Sequence, residues 1–318
     1  FFPQLVAGPI ERSVRLLPQF KQQFNFDYTR VVSGLRLITW GFFQKVVIAD
    51  SIARYVDAVY NNVENYSGFP LILSTLFFAI QIYNDFAGYS NIAIGSARLM
   101  GYDLMKNFNQ PYLSKNLADF WRKWHISLYS WFNDYLYNGI VLKYRDWGMH
   151  AVSFSAIITF TLSGLWHGAA WTFIIWGLLH GIGLSFLIYS NKTRKKINKI
   201  LPKSLYSIFC VILTFSFVNF TYIFFRSNDI RDVFFILRHI FDLDLNYIIG
   251  VPIFTKFTFI TMLTFAFFSF LSDLMIENKW HLKITNSPKL SYAYFIFMFL
   301  MIYCFGSFEE QNFVYFQF

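Results

Sequence analysis

The chain has 318 residues, of which 56% are hydrophobic, 22% aromatic and only 14% charged. A soluble domain is about a quarter charged, so the composition excludes that class and points to a polytopic membrane protein. The net charge of +9 sits in clusters and no RNA or DNA motif is visible, so the excess reads as membrane topology and no nucleic-acid partner is expected. Cys210 and Cys304 lie far apart in apolar segments and suggest neither a disulfide framework nor a thiolate metal site.

The chain opens Phe1-Phe2-Pro3 with no basic region ahead of an apolar core, so it does not start with a signal peptide and reads as a fragment of a longer protein. Breakers at Pro3, Gly8, Pro9 and Pro18 make the first segment a connector. From Tyr28 to Tyr60 apolar residues recur at helical spacing among Arg30, Arg36, Lys45, Asp50, Arg54 and Asp57. That much charge predicts a helix lying at the interface or against other helices, not one facing lipid.

Gly68-Phe69-Pro70 is a helix start, and Leu71 to about Ala93 is the first clear membrane span, with Asp85 well inside it. A loop-like piece from Met100 to Asn116 follows. Asp119 to Tyr137 then reads as one helix, with Lys123, Ser127, Ser130 and Asp134 on a polar stripe facing water and Trp121, His125, Leu128 and Phe132 nearly opposite, facing protein.

The 45 residues from Trp147 to Asn191 contain no Asp, Glu, Lys or Arg. They are long enough for two crossings, predicted at His150 to Trp166 and Trp171 to Ser190, with Gly168-Ala169-Ala170 at the turn. The basic run from Lys192 to Lys203 predicts a cytoplasmic loop. Further spans are expected at Ser204 to Phe225, Phe254 to Met275 and Leu290 to Phe308. Alternation puts Arg226 to Asn246 outside, Glu277 to Lys289 inside and the C-terminus outside.

His167, at the hairpin turn, is the main candidate for chemistry. An ionisable ring at membrane depth is expensive and marks a pathway or reaction site, although a packed ring satisfied by backbone carbonyls is the rival reading. A neutral imidazole accepts a proton from an alcohol, which makes general base the natural role. His125 taken alone reads as a packed core ring, and His180 as a packing ring or a partner behind the site, with packing favoured. Asp85 needs a partner, and pairing with a cation or orienting a catalytic ring are both open. Trp121, Trp124, Trp166 and Trp171 read as interface anchors first and site walls second. His239 and Asp244 match an acyltransferase H-x-x-x-x-D spacing by chance, the histidines lack metal-ligand spacing, and no phosphate loop is visible; no metal is expected.

Several segments together resemble the membrane-bound O-acyltransferase family: Phe2 to Arg12 (FPQLVAGPIER), Asp85 to Ser90 (DFAGYS), Phe108 to Tyr112 (FNQPY), Phe120 to Ser127 (FWRKWHIS) and Ser163 to Gly168 (SGLWHG). The ending Phe313 to Phe318 is similar to the branch of alginate O-acetyltransferase membrane subunits. The resemblance implies an all-α, polytopic integral membrane protein with interfacial or re-entrant helices around a central channel. It implies a single domain over residues 1–318 that lacks N-terminal membrane helices carried by family members, in the inner membrane of a bacterium. It further implies catalytic roles for His167 and His125; Trp166, Trp121, Trp124 and Asp85 are the candidate substrate-contacting residues beside them. No bound cofactor is expected. The implied donor is acetyl-CoA or another acyl thioester, the acceptor a polysaccharide outside the membrane, and the partner a periplasmic or cell-surface acetyltransferase protein. D-alanyl transfer to teichoic acid and a non-catalytic export component are the alternatives.

Overall fold

The computed structural model describes residues 1–4, 8–242, 255–280, 287–308 and 313–314. Leu5–Ala7 of the opening motif, Asp244, the loop residues 281–286 and the end of the terminal motif lie outside the described residues. The described residues form helices and connecting segments and contain no strand. Among the described residues, six helices are long and apolar enough to cross a membrane: Tyr28–Tyr60, Phe69–Leu99, Met149–His167, Trp171–Tyr189, Lys203–Arg226 and Lys256–Glu277. The all-helical fold implied by the resemblance and the several membrane-length apolar helices expected from composition are both found among the described residues. The elements fall into two compact units.

The first unit comprises Phe1–Ala58, Phe77–Asn107 and Val251–Phe318. After one helical turn, α1 (Ser13–Leu16), helix α2 (Tyr28–Phe42) starts where the Asp27 carboxylate accepts the Arg30 amide at 2.7 Å. It runs through a π-helical segment, Phe43–Ala49, into α3 (Asp50–Tyr60). Tyr28–Tyr60, expected at the interface or against other helices, does pack against helices and buries Phe43, Val47, Ile52 and Val56; by length and composition it is also able to cross a membrane. Two of its charges, Lys45 and Asp50, are paired internally. Lys45 Nζ lies 2.6 Å from Asp85 Oδ1 and 2.8 Å from Asp50 Oδ1. Asp85 sits in α4 (Phe69–Leu99), fully buried, and its other oxygen accepts the Val314 amide at 2.7 Å.

The second unit comprises Val59–Leu76 and Phe108–Gly250. The predicted helix from Asp119 to Tyr137 is not continuous. Asn116 caps α5 (Leu117–Lys123) by accepting the Asp119 amide at 2.9 Å, and the helix stops at Trp124, which is extended. His125 turns the chain with a left-handed φ of 42°, and α6 (Ile126–Phe132) departs from it, followed by a π-helical segment, Asn133–Tyr137, and α7 (Asn138–Lys143). The break reorients the faces, so Ser127, expected toward water, is fully buried.

The uncharged stretch forms the predicted hairpin, α8 (Met149–His167) and α9 (Trp171–Tyr189), within a residue of the expected ends. Its helices touch backbone to backbone. A Cβ on Gly164 would lie 2.1 Å from the Phe173 carbonyl oxygen, and one on Gly177 would lie 2.1 Å from that of Phe160, the close approach that small residues permit between membrane helices. The open end is tied by the Tyr189 hydroxyl and His150 Nδ1 at 2.7 Å. The basic run forms α10 (Asn191–Ile200), before α11 (Lys203–Arg226) and α12 (Ile230–His239). In the first unit, α13 (Lys256–Glu277) matches a predicted span, while α14 (Pro288–Phe305) is apolar but shorter than the other spans.

Candidate active site

The turn after α8 places His167 at the helix end, where the extended Gly168 stops the helix. Its ring is buried among aromatic side chains, 4.9 Å from Trp166, 5.2 Å from Trp176 and 5.1 Å from Phe225 between centroids. His125 arrives from a different segment, at the junction of α5 and α6, and is also buried. The two imidazoles are electrostatic neighbours: burial first, then His167, pushes the His125 ring down to about 3. The two histidines singled out from sequence are therefore brought together in one unit.

The ordinary value for a histidine like His125 is 6.5. Between that and about 3 only the unfolded chain takes up this proton, so the His125 contribution to stability is complete above pH 6.5 and is lost as pH falls through this window. Thermal midpoints of detergent-solubilised protein should drop from pH 7 to pH 5, and by less in a His125→Asn variant.

His180 connects three helices. Trp121 Nε1 of α5 donates to its Nδ1 at 3.2 Å, which leaves Nε2 as the protonated nitrogen of a neutral ring. Nε2 then donates to Thr221 Oγ1 of α11 at 3.0 Å, and the Thr221 hydroxyl passes its own proton to the Val218 carbonyl at 2.7 Å. Every polar atom in the chain is satisfied, so His180 is more than the packing ring its sequence context favoured: it holds Trp121 in place. His180→Phe keeps the volume but strands the Trp121 N–H. The expected loss is about 1–3 kcal/mol, read as a lower denaturation temperature.

Beside His125 the second unit forms a half-open cavity of about 520 Å³. Its walls include Trp121, His125 and Tyr129 from the α5–α6 segment, Met149, Thr159 and Ser163 from α8, and Asn191 and Arg194 from α10. Thr159, Ser163 and His167 recur every four residues, one face of α8. Neither Thr159 nor Arg194 was singled out from sequence, because an uncharged span shows no motif around a threonine and a basic run hides which of its cations turns inward.

The remaining candidates separate. Trp121 lines the cavity and packs 5.9 Å from Trp176. Trp124 is buried outside the cavity wall, stacked on Phe120 at 5.5 Å. Trp166 touches His167 but is 54% exposed. Trp171 is 71% exposed, as an interface anchor would be. Asp85 belongs to the first unit, where Lys45 is the partner it needed. Among the described residues no three His, Cys, Asp or Glu side chains gather as a metal site requires.

Among curated proteins, the chain is 34% identical to the peptidoglycan O-acetyltransferase of Helicobacter pylori over 75% of its own length and 44% of that protein's. It is 41% identical to the "Probable alginate O-acetylase AlgI" of Azotobacter vinelandii, over 54% of the chain and 33% of that protein. It is 32% identical to the teichoic acid D-alanyltransferase of Bacillus subtilis, over 72% of the chain and 60% of that protein. The chain thus spans between a third and three fifths of the length of these relatives. The sequence profile of the MBOAT, membrane-bound O-acyltransferase family matches residues 1–227, and the chain belongs to that family.

Proposed function

We propose that this chain is the core of a membrane O-acyltransferase that takes an acetyl group from a cytoplasmic thioester and delivers it to a hydroxyl of a polysaccharide outside the cell membrane. The observation that carries this reading is the meeting of His125 and His167, from separate segments, as buried neighbours next to a cavity. His167 acts as general base: it takes the proton of the acceptor hydroxyl as the oxygen attacks the thioester carbonyl. The C–O bond forms, the C–S bond breaks, and the proton passes to the departing thiolate. His125, neutral and fixed by its turn, orients the acceptor or donates to the developing oxyanion. Trp121, held by His180, and Trp166 border the reacting groups, and Trp124 supports them through packing.

The basic helix α10 sets the orientation, since short loops rich in Lys and Arg stay in the cytoplasm; the cell membrane of a bacterium is the expected location. Residues 1–318 are taken as one functional domain, working with a periplasmic or cell-surface acetyltransferase protein. Membranes carrying the full-length protein and that partner, supplied with radiolabelled acetyl-CoA, should label polysaccharide, and absence of label from any thioester would refute the assignment. The similarity to a teichoic acid D-alanyltransferase over 72% of the chain favours D-alanyl transfer as the second reading. Mild base releases acetate from the envelope in the first case and D-alanine in the second.

A further inference from the structure

The first unit gathers three half-buried arginines, Arg30 and Arg36 on α2 and Arg98 in the last turn of α4. Arg98 Nη1 donates to the Ser33 hydroxyl at 2.7 Å, and Ser33 stands three residues from both Arg30 and Arg36, so the three side chains leave the backbone around the same two turns of α2. Close helix packing permits this: a Cβ on Gly34 would lie 2.9 Å from the Gly95 carbonyl oxygen of α4. The other contacts of these guanidiniums are also neutral. Arg30 Nη2 donates to the Asn25 carbonyl at 2.7 Å and the group lies 5.9 Å from the Phe24 ring. Arg36 Nη2 donates to the Ser291 hydroxyl of α14 at 2.5 Å, with the Phe295 ring 6.0 Å away.

Elsewhere in this unit cations meet carboxylates: Arg15 pairs with Glu11 and Asp103, and Lys45 with Asp50 and Asp85. Among the described residues, none of Arg30, Arg36 and Arg98 has a carboxylate at ion-pair distance. Asp27, the nearest acid in sequence, spends its carboxylate on capping α2. The Nε–H groups of Arg30 and Arg36 are buried and lack an acceptor among the described residues. Such donors on charged groups are costly to leave unmatched, and a ligand with anionic oxygens matches them. The depth is that of a headgroup. Tyr28–Tyr60 runs 33 residues, about 50 Å at 1.5 Å per residue, against a hydrocarbon core of about 30 Å, and Arg30 and Arg36 lie in its first three turns. Ser291 follows the loop that alternation puts inside, so this end of α2 faces the cytoplasm.

We infer that Arg30, Arg36 and Arg98 form a site for the phosphate headgroup of an anionic phospholipid of the cytoplasmic leaflet. A guanidinium offers a phosphate paired, charge-assisted hydrogen bonds, and basic pockets between membrane helices on the cytoplasmic side suit such headgroups. The neighbouring surface favours a lipid over a soluble anion. On α14, Tyr292 and Ile296 are exposed and form an apolar stripe beside Ser291 and Phe295, the two residues Arg36 touches. Acyl chains gain from that stripe and a soluble phosphate does not. The site lies wholly in the first unit and does not depend on the acyl-transfer reading.

The test places the full-length protein in nanodiscs of equal parts phosphatidylcholine and phosphatidylglycerol and reads the retained lipid by native mass spectrometry. The unaltered protein should retain phosphatidylglycerol over phosphatidylcholine by at least about tenfold, the ratio expected for one charge-assisted hydrogen bond. Arg36→Gln and Arg98→Gln should each remove most of that preference, and Arg36→Lys should keep part of it. Replacing the exposed lysines of α10, Lys192, Lys195, Lys196 and Lys199, by Gln should leave it unchanged. Equal retention of the two lipids by the unaltered protein overturns the inference even if no variant folds. A loss of equal size in the α10 variant does so too, because it marks diffuse attraction to a basic surface. Inorganic phosphate and glycerophosphoglycerol, the headgroup without its chains, are added at millimolar concentration as competitors. Neither should displace the lipid; displacement by either makes a soluble anion the ligand and overturns the lipid assignment.

Discussion

Replacing His167 by Ala should lower acetyl transfer roughly 10²–10⁴-fold if the ring is the positioned general base proposed above, while the protein should still insert and accumulate in the membrane. Insertion survives because the ring carries none of the hydrophobicity that drives the hairpin into lipid. Two of its neighbours, Trp176 and Phe225, also touch each other, 5.1 Å between centroids, and that contact does not depend on the ring. His167→Gln, which keeps a polar side chain of similar reach but cannot shuttle a proton, should be as inactive. Label incorporated into polysaccharide, normalised to the amount of inserted protein, is the measurement. Transfer within tenfold of the unaltered protein would remove His167 from the chemistry and return it to packing.

The second large effect is on folding. Gly177→Leu places a Cβ 2.1 Å from the Phe160 carbonyl oxygen, and Gly164→Val does the same against Phe173. The obstructing atoms are backbone on both sides, so neither helix yields by changing a rotamer, and the hairpin must spread. Overpacking costs about 1–3 kcal/mol where side chains give way, and more is expected here. Spreading would also separate His167, at the turn, from His180, one helix away. Lower thermal midpoints and poor yields of monodisperse protein in detergent are the expected readouts. Gly139→Ala is the control, since nothing lies within 4 Å of its Cβ; it should leave stability unchanged or raise it by about 0.5–1 kcal/mol through better helix propensity.

What could be read from sequence follows from what is local. The hairpin was legible to within a residue because it depends on a run of uncharged residues and a Gly-Ala-Ala turn, both contiguous. That Tyr28–Tyr60 is able to cross a membrane was not legible because its charges are answered from elsewhere: Lys45 finds Asp85, forty positions away, and only the folded chain shows a neutralised pair in place of a charged face. Asp119 to Tyr137 was misjudged for the opposite reason. No Gly or Pro marks the break, and a histidine in left-handed conformation leaves no trace in helical periodicity. The pairing of His125 with His167 was available only through family resemblance, since 41 residues, running through α6, α7 and α8, lie between them. The Trp121–His180–Thr221 chain was not available at all, because its members come from three helices distant in sequence.

The left-handed turn at His125 has a consequence for variation at this position. Holding a residue with a Cβ at φ 42° costs about 1–2 kcal/mol of backbone strain, a burden that glycine would escape. His125→Gly should therefore relax the turn at the moment it removes the ring, and a library sorted for thermal resistance alone would enrich glycine there. One sorted for acetylated envelope would retain histidine. Opposite outcomes from the two sorts would locate, at one residue, where the demands of folding and of chemistry diverge in this protein.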